Sequence, residues 1–179
     1  MNRQPVLEGE RLLLRPLTEA DWPAFRAAGG DPAVWAIHPV HTRWQEPVLR
    51  AFFDDALAQG GALAVIDRDS GALVGSSRFQ GHDPAASEVE IGWTFLATSH
   101  WGGAFNREMK RLMLGHALQH VETVVFRVGE TNLRSRRAME KIGGILTERE
   151  EVIEGPSGPI RHVVYAITRD SFAAGPLAA

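Results

Sequence analysis

The hydrophobic pattern of the chain changes its period between residues 88 and 117. In the first part, apolar residues alternate with polar or small ones, at Val89, Ile91, Trp93 and Phe95. Alternation predicts a strand with one buried face, which leaves Glu88 and Glu90 together on the other face. From residue 105 to 117, apolar residues recur every three or four positions, which predicts an amphipathic helix. A loop of small residues, Trp101-Gly102-Gly103-Ala104, joins the two.

The rest of the pattern predicts further strands and helices. Strands are expected at residues 11–17, 62–66, 73–79, 123–128, 145–153 and 161–168, and helices at 18–28, 48–59 and 132–142. The second and third of these strands form a hairpin, residues 81–87 are a connecting loop, and residues 35–47 are irregular. Antiparallel hairpins followed by alternating strands and helices indicate an α+β fold with a mixed sheet.

Composition narrows the class of protein. A chain of 179 residues is long enough for one domain, expected to span residues 1–179, with a frayed tail at 173–179. A net charge of -3 gives no reason to expect a nucleic acid or a membrane as a partner, and no apolar run is long enough to span a bilayer. The absence of cysteine excludes disulfides, cysteine-bound zinc and a thiol nucleophile, and it is consistent with a cytoplasmic protein.

The glycine loop is a candidate phosphate site. Small residues let backbone N–H groups approach a ligand, and the first turn of the following helix offers unpaired donors at the positive end of its dipole. A simple tight turn is the alternative. The sequence of the loop excludes the P-loop and the dinucleotide-binding glycine motif.

Three features together resemble the GNAT superfamily of N-acetyltransferases. They are the E-I-G-W strand at residues 90–93, the glycine loop that opens a helix, and the run N-L-R-S-R-R-A-M-E-K-I-G at residues 132–143. The resemblance extends from Leu7 to about Asp170 and is nearest to the RimJ/RimL-like branch, which acetylates the N-termini of ribosomal proteins. The usual loop of the family, R/Q-x-x-G-x-G/A, falls on residues 101–106. It departs there, with tryptophan, alanine and asparagine at positions 101, 104 and 106.

The resemblance implies acetyl-CoA as the acetyl donor, without a metal. Its pyrophosphate would lie on the loop amides, and its pantetheine arm would follow the central strand, where a bulge near Gly92 would separate that strand from the next. The residues implied in binding acetyl-CoA are Trp101, Gly102, Gly103, Ala104, Phe105, Asn106, Asn132 and Arg137. Other basic residues, including Arg134, Arg136, Arg107 and Lys110, are either available for the phosphates or ordinary surface charges.

An amine must lose a proton before it attacks a thioester. The resemblance implies Glu90 as the candidate general base, since it would place this residue on the polar face of the central strand, next to the thioester. Glu88 could act through water, and the alternative is that both glutamates are solvated charges.

Many enzymes of this family use a tyrosine as donor to the leaving thiolate, but the one tyrosine here, Tyr165, falls in the last predicted strand. The resemblance implies Ser135 as the donor instead, because in the RimJ/RimL-like branch a serine three residues after the asparagine faces the thioester sulfur. The alternative for Asn132 and Ser135 is that they only cap a helix.

The acceptor pocket is expected at His38, His41 and Trp44, with Glu88, and ordinary packing is the alternative. The spacing H-x-x-H lacks a third ligand for a metal. The sequence therefore predicts acetyl transfer from acetyl-CoA to a primary amine, either a peptide N-terminus or a small molecule. The alternative is a module that binds acyl-CoA without turnover, and the resemblance leaves a weak homodimer open.

Overall fold

The computed structural model describes residues 1–155 and 158–178, and eight strands in this part of the chain form one sheet. The strands are β1 (Leu7–Glu8), β2 (Leu12–Pro16), β3 (Ala62–Asp67), β4 (Leu73–Asp83), β5 (Glu88–Leu96), β6 (Thr123–Gly129), β7 (Ile145–Gly155) and β8 (Gly158–Thr168). Their order in the sheet is β1-β2-β3-β4-β5-β6-β8-β7. Only β5 and β6 pair in parallel among these neighbours, so the mixed, mostly antiparallel sheet is confirmed.

Helices cover both faces of the sheet. They are α1 (Trp22–Gly29), α2 (Pro32–Trp35), α3 (Glu46–Gln59), α4 (Ala104–Ala117), α5 (Leu133–Lys141) and α6 (Arg169–Ala173). Apolar residues of α4 and α5 pack on one face, which we call the α4 face, and those of α1, α2 and α3 pack on the other, the α3 face. None of the described helices is long and apolar enough to cross a membrane.

Several predicted boundaries were wrong. Strand β4 continues through Asp83, where a loop was expected, and α2 forms because Asp31 caps it and Pro32 starts it. The tail was expected to fray from Ala173. Instead Ala173 ends α6, and Leu177 is buried in the core of the α4 face.

A β-bulge in β5 reverses the direction of its side chains. Ser76 pairs with Phe95 and Arg78 pairs with Gly92, so Ser77 alone lies opposite two residues of β5. The bulge was expected near Gly92 and lies at the next two positions. Trp93 there has a φ of 52°, a left-handed conformation that is rare for a bulky residue.

The bulge explains why the predicted buried face of β5 was wrong. Val89 and Ile91 belong to the core of the α4 face, as predicted by the alternation, but Phe95 belongs to the core of the α3 face. Trp93 is 36% exposed and joins neither core. One extra residue shifts the alternation of every position that follows it.

A hydrogen-bonded cluster on the α4 face holds the bulge. The Thr94 hydroxyl accepts a bond from Lys110 Nζ at 2.8 Å and lies 2.8 Å from the Ser77 hydroxyl. Lys110 is buried, and its ammonium lies 5.4 Å from the centre of the Phe126 ring. The interpretation of Lys110 as a surface charge is therefore wrong, because α4 turns this side chain toward the sheet.

Strands β5 and β6 separate just before the bulge. Their pairing covers only three positions and ends with Glu90 opposite Val125. Strand β6 continues to Gly129 in its pairing with β8, and β5 continues to Leu96. From Ile91 onward, the edge of β5 that faces β6 has no strand partner in the described structure, which leaves a cleft between the two strands.

Lys110 should make the stability of the protein depend on pH. Burial lowers the pKa of its ammonium from 10.5 to about 7. The unfolded chain therefore binds more protons than the folded chain between these values, and wild-type stability should rise as the pH increases through this range. Lys110→Met removes the titration and keeps an unbranched side chain. The variant also loses the bond to Thr94, which lowers its stability by a separate amount. We therefore expect its free energy of unfolding, relative to that of the wild type, to be highest at pH 7 or below and to fall as the pH approaches 10.5.

Urea unfolding over a pH series measures this difference. Lys141→Met is the matched control, because Lys141 is exposed on α5 and should show no such trend. A difference between Lys110→Met and wild type that stays constant with pH would contradict the account of Lys110.

Candidate active site

The glycine loop has the geometry of an anion cradle. Gly102 and Gly103 have φ values of 99° and 126°, which L side chains rarely adopt, so both positions require glycine. Helix α4 starts at Ala104 with no side-chain cap and with no acidic residue in its first turn. Its first amides are therefore free to bind an anion at the positive end of the helix dipole.

Trp101 anchors this loop to the end of β5. Its indole Nε1 donates a hydrogen bond to the Leu96 carbonyl at 2.9 Å. The guanidinium of Arg134 lies 4.2 Å from the centre of the indole and donates to the Val34 carbonyl at 2.8 Å. The tryptophan that departs from the usual family pattern thus holds the loop by packing and by a backbone contact.

The glycine loop follows the free edge of β5 along the chain, and together they offer groups of the kind that acetyl-CoA requires. The free edge of β5 offers backbone N–H and C=O groups of the kind that pair with the amides of a pantetheine arm. The loop that follows β5 offers amides for the pyrophosphate. In the described part of the chain, no group of three or more histidine, aspartate or glutamate side chains could hold a metal ion.

Glu90 lies where the cleft begins. It is the last residue of β5 that pairs with β6, and it is only 6% exposed, so the alternative of a solvated charge is wrong for Glu90. Arg127 of β6 donates to its carboxylate and also contacts Glu151 at 2.6 Å. Burial raises the pKa of Glu90, and the charge and hydrogen bond of Arg127 oppose that rise.

Glu88 has a separate partner on the same face. Its carboxylate forms a two-pronged ion pair with Arg149, at 2.7 and 3.0 Å. An open cavity of about 200 Å³ is lined by the partners of both glutamates and their neighbours, namely Arg127, Arg149, Glu150, Glu151 and Val164. The arginine partners of the two predicted carboxylates thus line one cavity on the α3 face.

The predicted pair at the start of α5 is partly structural. Asn132 is buried and caps the helix, since its Oδ1 accepts a hydrogen bond from the Ser135 amide at 3.2 Å. The Ser135 hydroxyl, in contrast, has no hydrogen-bond partner among residues 1–155 and 158–178. Capping therefore accounts for the contacts of Asn132 and leaves the Ser135 hydroxyl free.

The basic residues of α5 have different surroundings. Arg137 is exposed, so it is available to a ligand in solution. Arg136 instead donates to the Tyr165 hydroxyl and to the Glu130 carbonyl, both at 3.2 Å. Tyr165 is buried in β8 and donates in turn to Glu140, as expected for a tyrosine outside the acetyl-transfer site.

The three predicted acceptor residues do not converge. His38 lies against Trp35 with ring centres 5.5 Å apart, whereas His41 is exposed. Trp44 lines a different open concavity, of about 630 Å³, together with residues of α1. Only His38 packs with the buried groups of the α3 face.

Sequence reasoning missed three arginines of the α3 face. Arg127 interrupts a strand that is otherwise mostly apolar, and that interruption was the available signal, whereas Arg78 lies in a strand that also contains serines. Arg43 falls in the stretch predicted to be irregular, where hydrophobic periodicity gives no direction to a side chain. All three lie near the predicted base or the predicted acceptor residue His38.

Comparisons with known proteins agree with this geometry. A model of the acetyltransferase (GNAT) domain family matches residues 11–145. A protein from T. thermophilus that is assigned to the acetyltransferases is 29% identical, with a TM-score of 0.77 over 94% of this chain and 92% of that one. The acetyltransferase from Agrobacterium tumefaciens str. C58 is 28% identical, with a TM-score of 0.67 over 92% and 95%.

A more distant structure has the same fold. Spermidine N-acetyltransferase from Vibrio cholerae, in complex with CoA and spermine, is 15% identical, with a TM-score of 0.66 over 92% of this chain and 99% of that one. This likeness shows the fold alone. With the family match, the open cleft and the glycine loop, the chain belongs to the GNAT family and is an acetyl-CoA-dependent N-acetyltransferase.

Proposed function

We propose that this enzyme acetylates a primary amine by direct attack, with Glu90 as general base and Ser135 as general acid. The observation that carries the proposal is the position of Glu90. Its buried carboxylate lies at the last paired residue of β5, where the cleft between β5 and β6 begins. A base is needed at that point, where an amine from the α3 face would meet a thioester in the cleft.

The surroundings of Glu90 suit proton transfer near neutral pH. Amines are protonated there, and a carboxylate with a raised pKa accepts a proton more readily than an ordinary one. Burial raises the pKa of Glu90. The ion pair with Arg127 opposes that rise and favours the ionised carboxylate, which is the form that acts as a base. Glu88 is the second candidate and would act through water.

Residues of the loop and of α5 hold acetyl-CoA in this proposal. The amides of residues 101–106 bind its pyrophosphate, with Arg137 available to the phosphates, and Asn132 holds the start of α5 near the pantetheine arm. Acetyl-CoA supplies an acetyl thioester that an amine can attack. In this proposal the hydroxyl of Ser135 donates a proton to the departing thiolate.

The acceptor is either a peptide N-terminus, as in the RimJ/RimL-like branch, or a small amine. The V. cholerae neighbour binds spermine, which makes a small amine worth testing here. His38 is the predicted pocket residue that supports an acceptor site on the α3 face, whereas the positions of His41 and Trp44 support it less. We also propose that the protein is cytoplasmic and that it forms a weak homodimer.

Substitution of the acid and the base separates catalysis from binding. We expect Glu90→Gln to lower kcat by on the order of 100-fold and Ser135→Ala by at least about tenfold, because each removes one proton transfer. Acetyl-CoA affinity should be retained in both. Release of CoA thiol measures turnover without a background, as the protein has no cysteine. Glu148→Gln is the control, since Glu148 is exposed. An unchanged kcat in either variant would exclude that residue from its role.

The pH profile tests the ion pair. Arg127→Gln removes the charge that holds down the pKa of Glu90, so that pKa should rise further. A general base is active when ionised, so the acidic limb of kcat/KM should move to higher pH. Arg149→Gln, which breaks the pair with Glu88 instead, should leave the limb in place. A limb that moves with Arg149→Gln and not with Arg127→Gln would assign the base to Glu88.

A further inference from the structure

Arg43 is a half-buried cation whose charge has no carboxylate partner among the described residues. Its guanidinium lies between two aromatic rings, 5.1 Å from the centre of Trp35 and 4.4 Å from the centre of Phe52. In the described part of the chain, no carboxylate forms an ion pair with it, and its one polar contact is to His38 Nε2 at 3.3 Å. Burial, together with the charge of Arg78, lowers the pKa of Arg43 to about 10. An arginine in such surroundings usually has a carboxylate partner.

The contact between Arg43 and His38 joins two donors. His38 Nδ1 accepts a hydrogen bond from the Val40 amide at 2.9 Å. Burial lowers the pKa of His38 to about 3, so the ring is neutral and its proton must be on Nε2. An N–H of the imidazole and an N–H of the guanidinium therefore converge with no acceptor between them. An anion that accepts from both would satisfy them.

The same face carries further unpaired polar atoms close to Glu90. Among the described residues, the buried side-chain atoms without a hydrogen-bond partner are Arg78 Nε and Gln80 Oε1. Their positions in β4 pair with Gly92 and Glu90, respectively, across the sheet. Arg78 is buried, contacts Asp55 at 2.9 Å and lies 4.1 Å from the centre of the Trp93 ring.

These groups give the α3 face two ends, one with hydrogen-bond acceptors and one with hydrogen-bond donors. Gln80 and Glu90 offer oxygen atoms, which suit the N–H groups of an amine. Arg43 and His38 offer N–H groups, which suit an anion. Arg78 interacts electrostatically with both ends. Its charge lowers the pKa of Arg43, and the charge of Glu90 raises the pKa of Arg78 against the effect of burial.

We propose that the amine acceptor is a small molecule that also carries a carboxylate, as an amino acid does, and that Arg43 and His38 bind this carboxylate. This inference rests on the proposed function, since it places the amine at Glu90. One guanidinium with one neutral imidazole N–H carries a single positive charge, which matches a carboxylate better than a dianionic phosphate. Polyamines carry no anion for this end of the site and are repelled by Arg43 and Arg78.

A panel of matched acceptors tests the inference. Each of the common L-amino acids is compared with its own C-terminal amide at saturating acetyl-CoA, with thiol release as the readout. The amide has the less basic amine, so more of it is unprotonated at neutral pH, and any preference for the acid must come from the carboxylate. We expect kcat/KM for the best acid to exceed that for its amide at least tenfold, and spermidine to be a poor acceptor.

Arg43→Gln should remove this preference. Its KM for the acid should rise at least tenfold, while its kcat/KM for the amide should stay near the wild-type value. Arg26→Gln is the matched control, because Arg26 is exposed on α1 and pairs only with Glu46 at the surface. Arg43→Lys keeps the charge but loses the fork of donors, so it should restore part of the preference. Thermal unfolding of each variant shows whether it is folded.

A binding measurement needs no turnover. Calorimetric titration compares N-acetylglycine with N-acetylglycinamide, and the wild type should bind the acid more tightly while Arg43→Gln should not. Acetylation of amines without a preference for the carboxylate, or a preference that survives in Arg43→Gln, would overturn this inference and leave the proposed function intact. Carboxylate-dependent binding without acetylation of any amine would support the anion site and overturn the proposed function instead.

Discussion

The bulge in β5 is the constraint on which the rest of the site depends. It places Trp93 in a left-handed conformation, which costs on the order of 1–2 kcal/mol for a residue with a side chain. Two interactions on opposite faces of the sheet offset this cost. The Lys110–Thr94 hydrogen bond holds the strand from the α4 face, and the stacking of Trp93 on Arg78 holds it from the α3 face. Because of the bulge, β5 turns its edge away from β6 after Glu90, and the cleft opens there.

The cleft divides the chemistry between two sides of the sheet. Acetyl-CoA needs a free strand edge for its pantetheine arm and backbone amides for its pyrophosphate. In the proposed binding mode, β5 provides the edge and the glycine loop provides the amides. An amine needs a base and a means of orientation, and in the proposed mechanism both lie on the α3 face, with Glu90 and Arg127 at the start of the cleft. Among the described residues of that face, the charged side chains of strands β5 to β8 form ion pairs with one another, whereas Arg43 has no carboxylate partner. This contrast supports the proposal that Arg43 pairs with a carboxylate of the substrate, whereas the charges near Glu90 pair with one another.

Much of the fold was predictable because hydrophobic periodicity is a local property. The alternation around Val89 and the helical pattern from residue 105 identified the central strand and α4 correctly. The direction of Trp93 and Phe95 was not predictable in this way, because a bulge changes the period without leaving a clear mark in the sequence. The burial of Lys110 was missed for a related reason, since a lysine on an amphipathic helix is usually exposed. Glu90 could be selected because the resemblance to a family supplied its role, whereas Arg43 belongs to an irregular segment whose side chains take their direction from tertiary packing alone.

The most direct test of the account is a calorimetric titration of acetyl-CoA into the purified protein, with CoA and ATP as comparison ligands. The account requires that the altered loop still binds the pyrophosphate and that the open edge of β5 binds the pantetheine arm. It therefore predicts micromolar binding of acetyl-CoA and CoA, with much weaker binding of ATP, which has phosphates and adenosine but no pantetheine. No detectable binding of acetyl-CoA, or equal binding of ATP, would contradict the central claim that the cleft between β5 and β6 is the acetyl-CoA site.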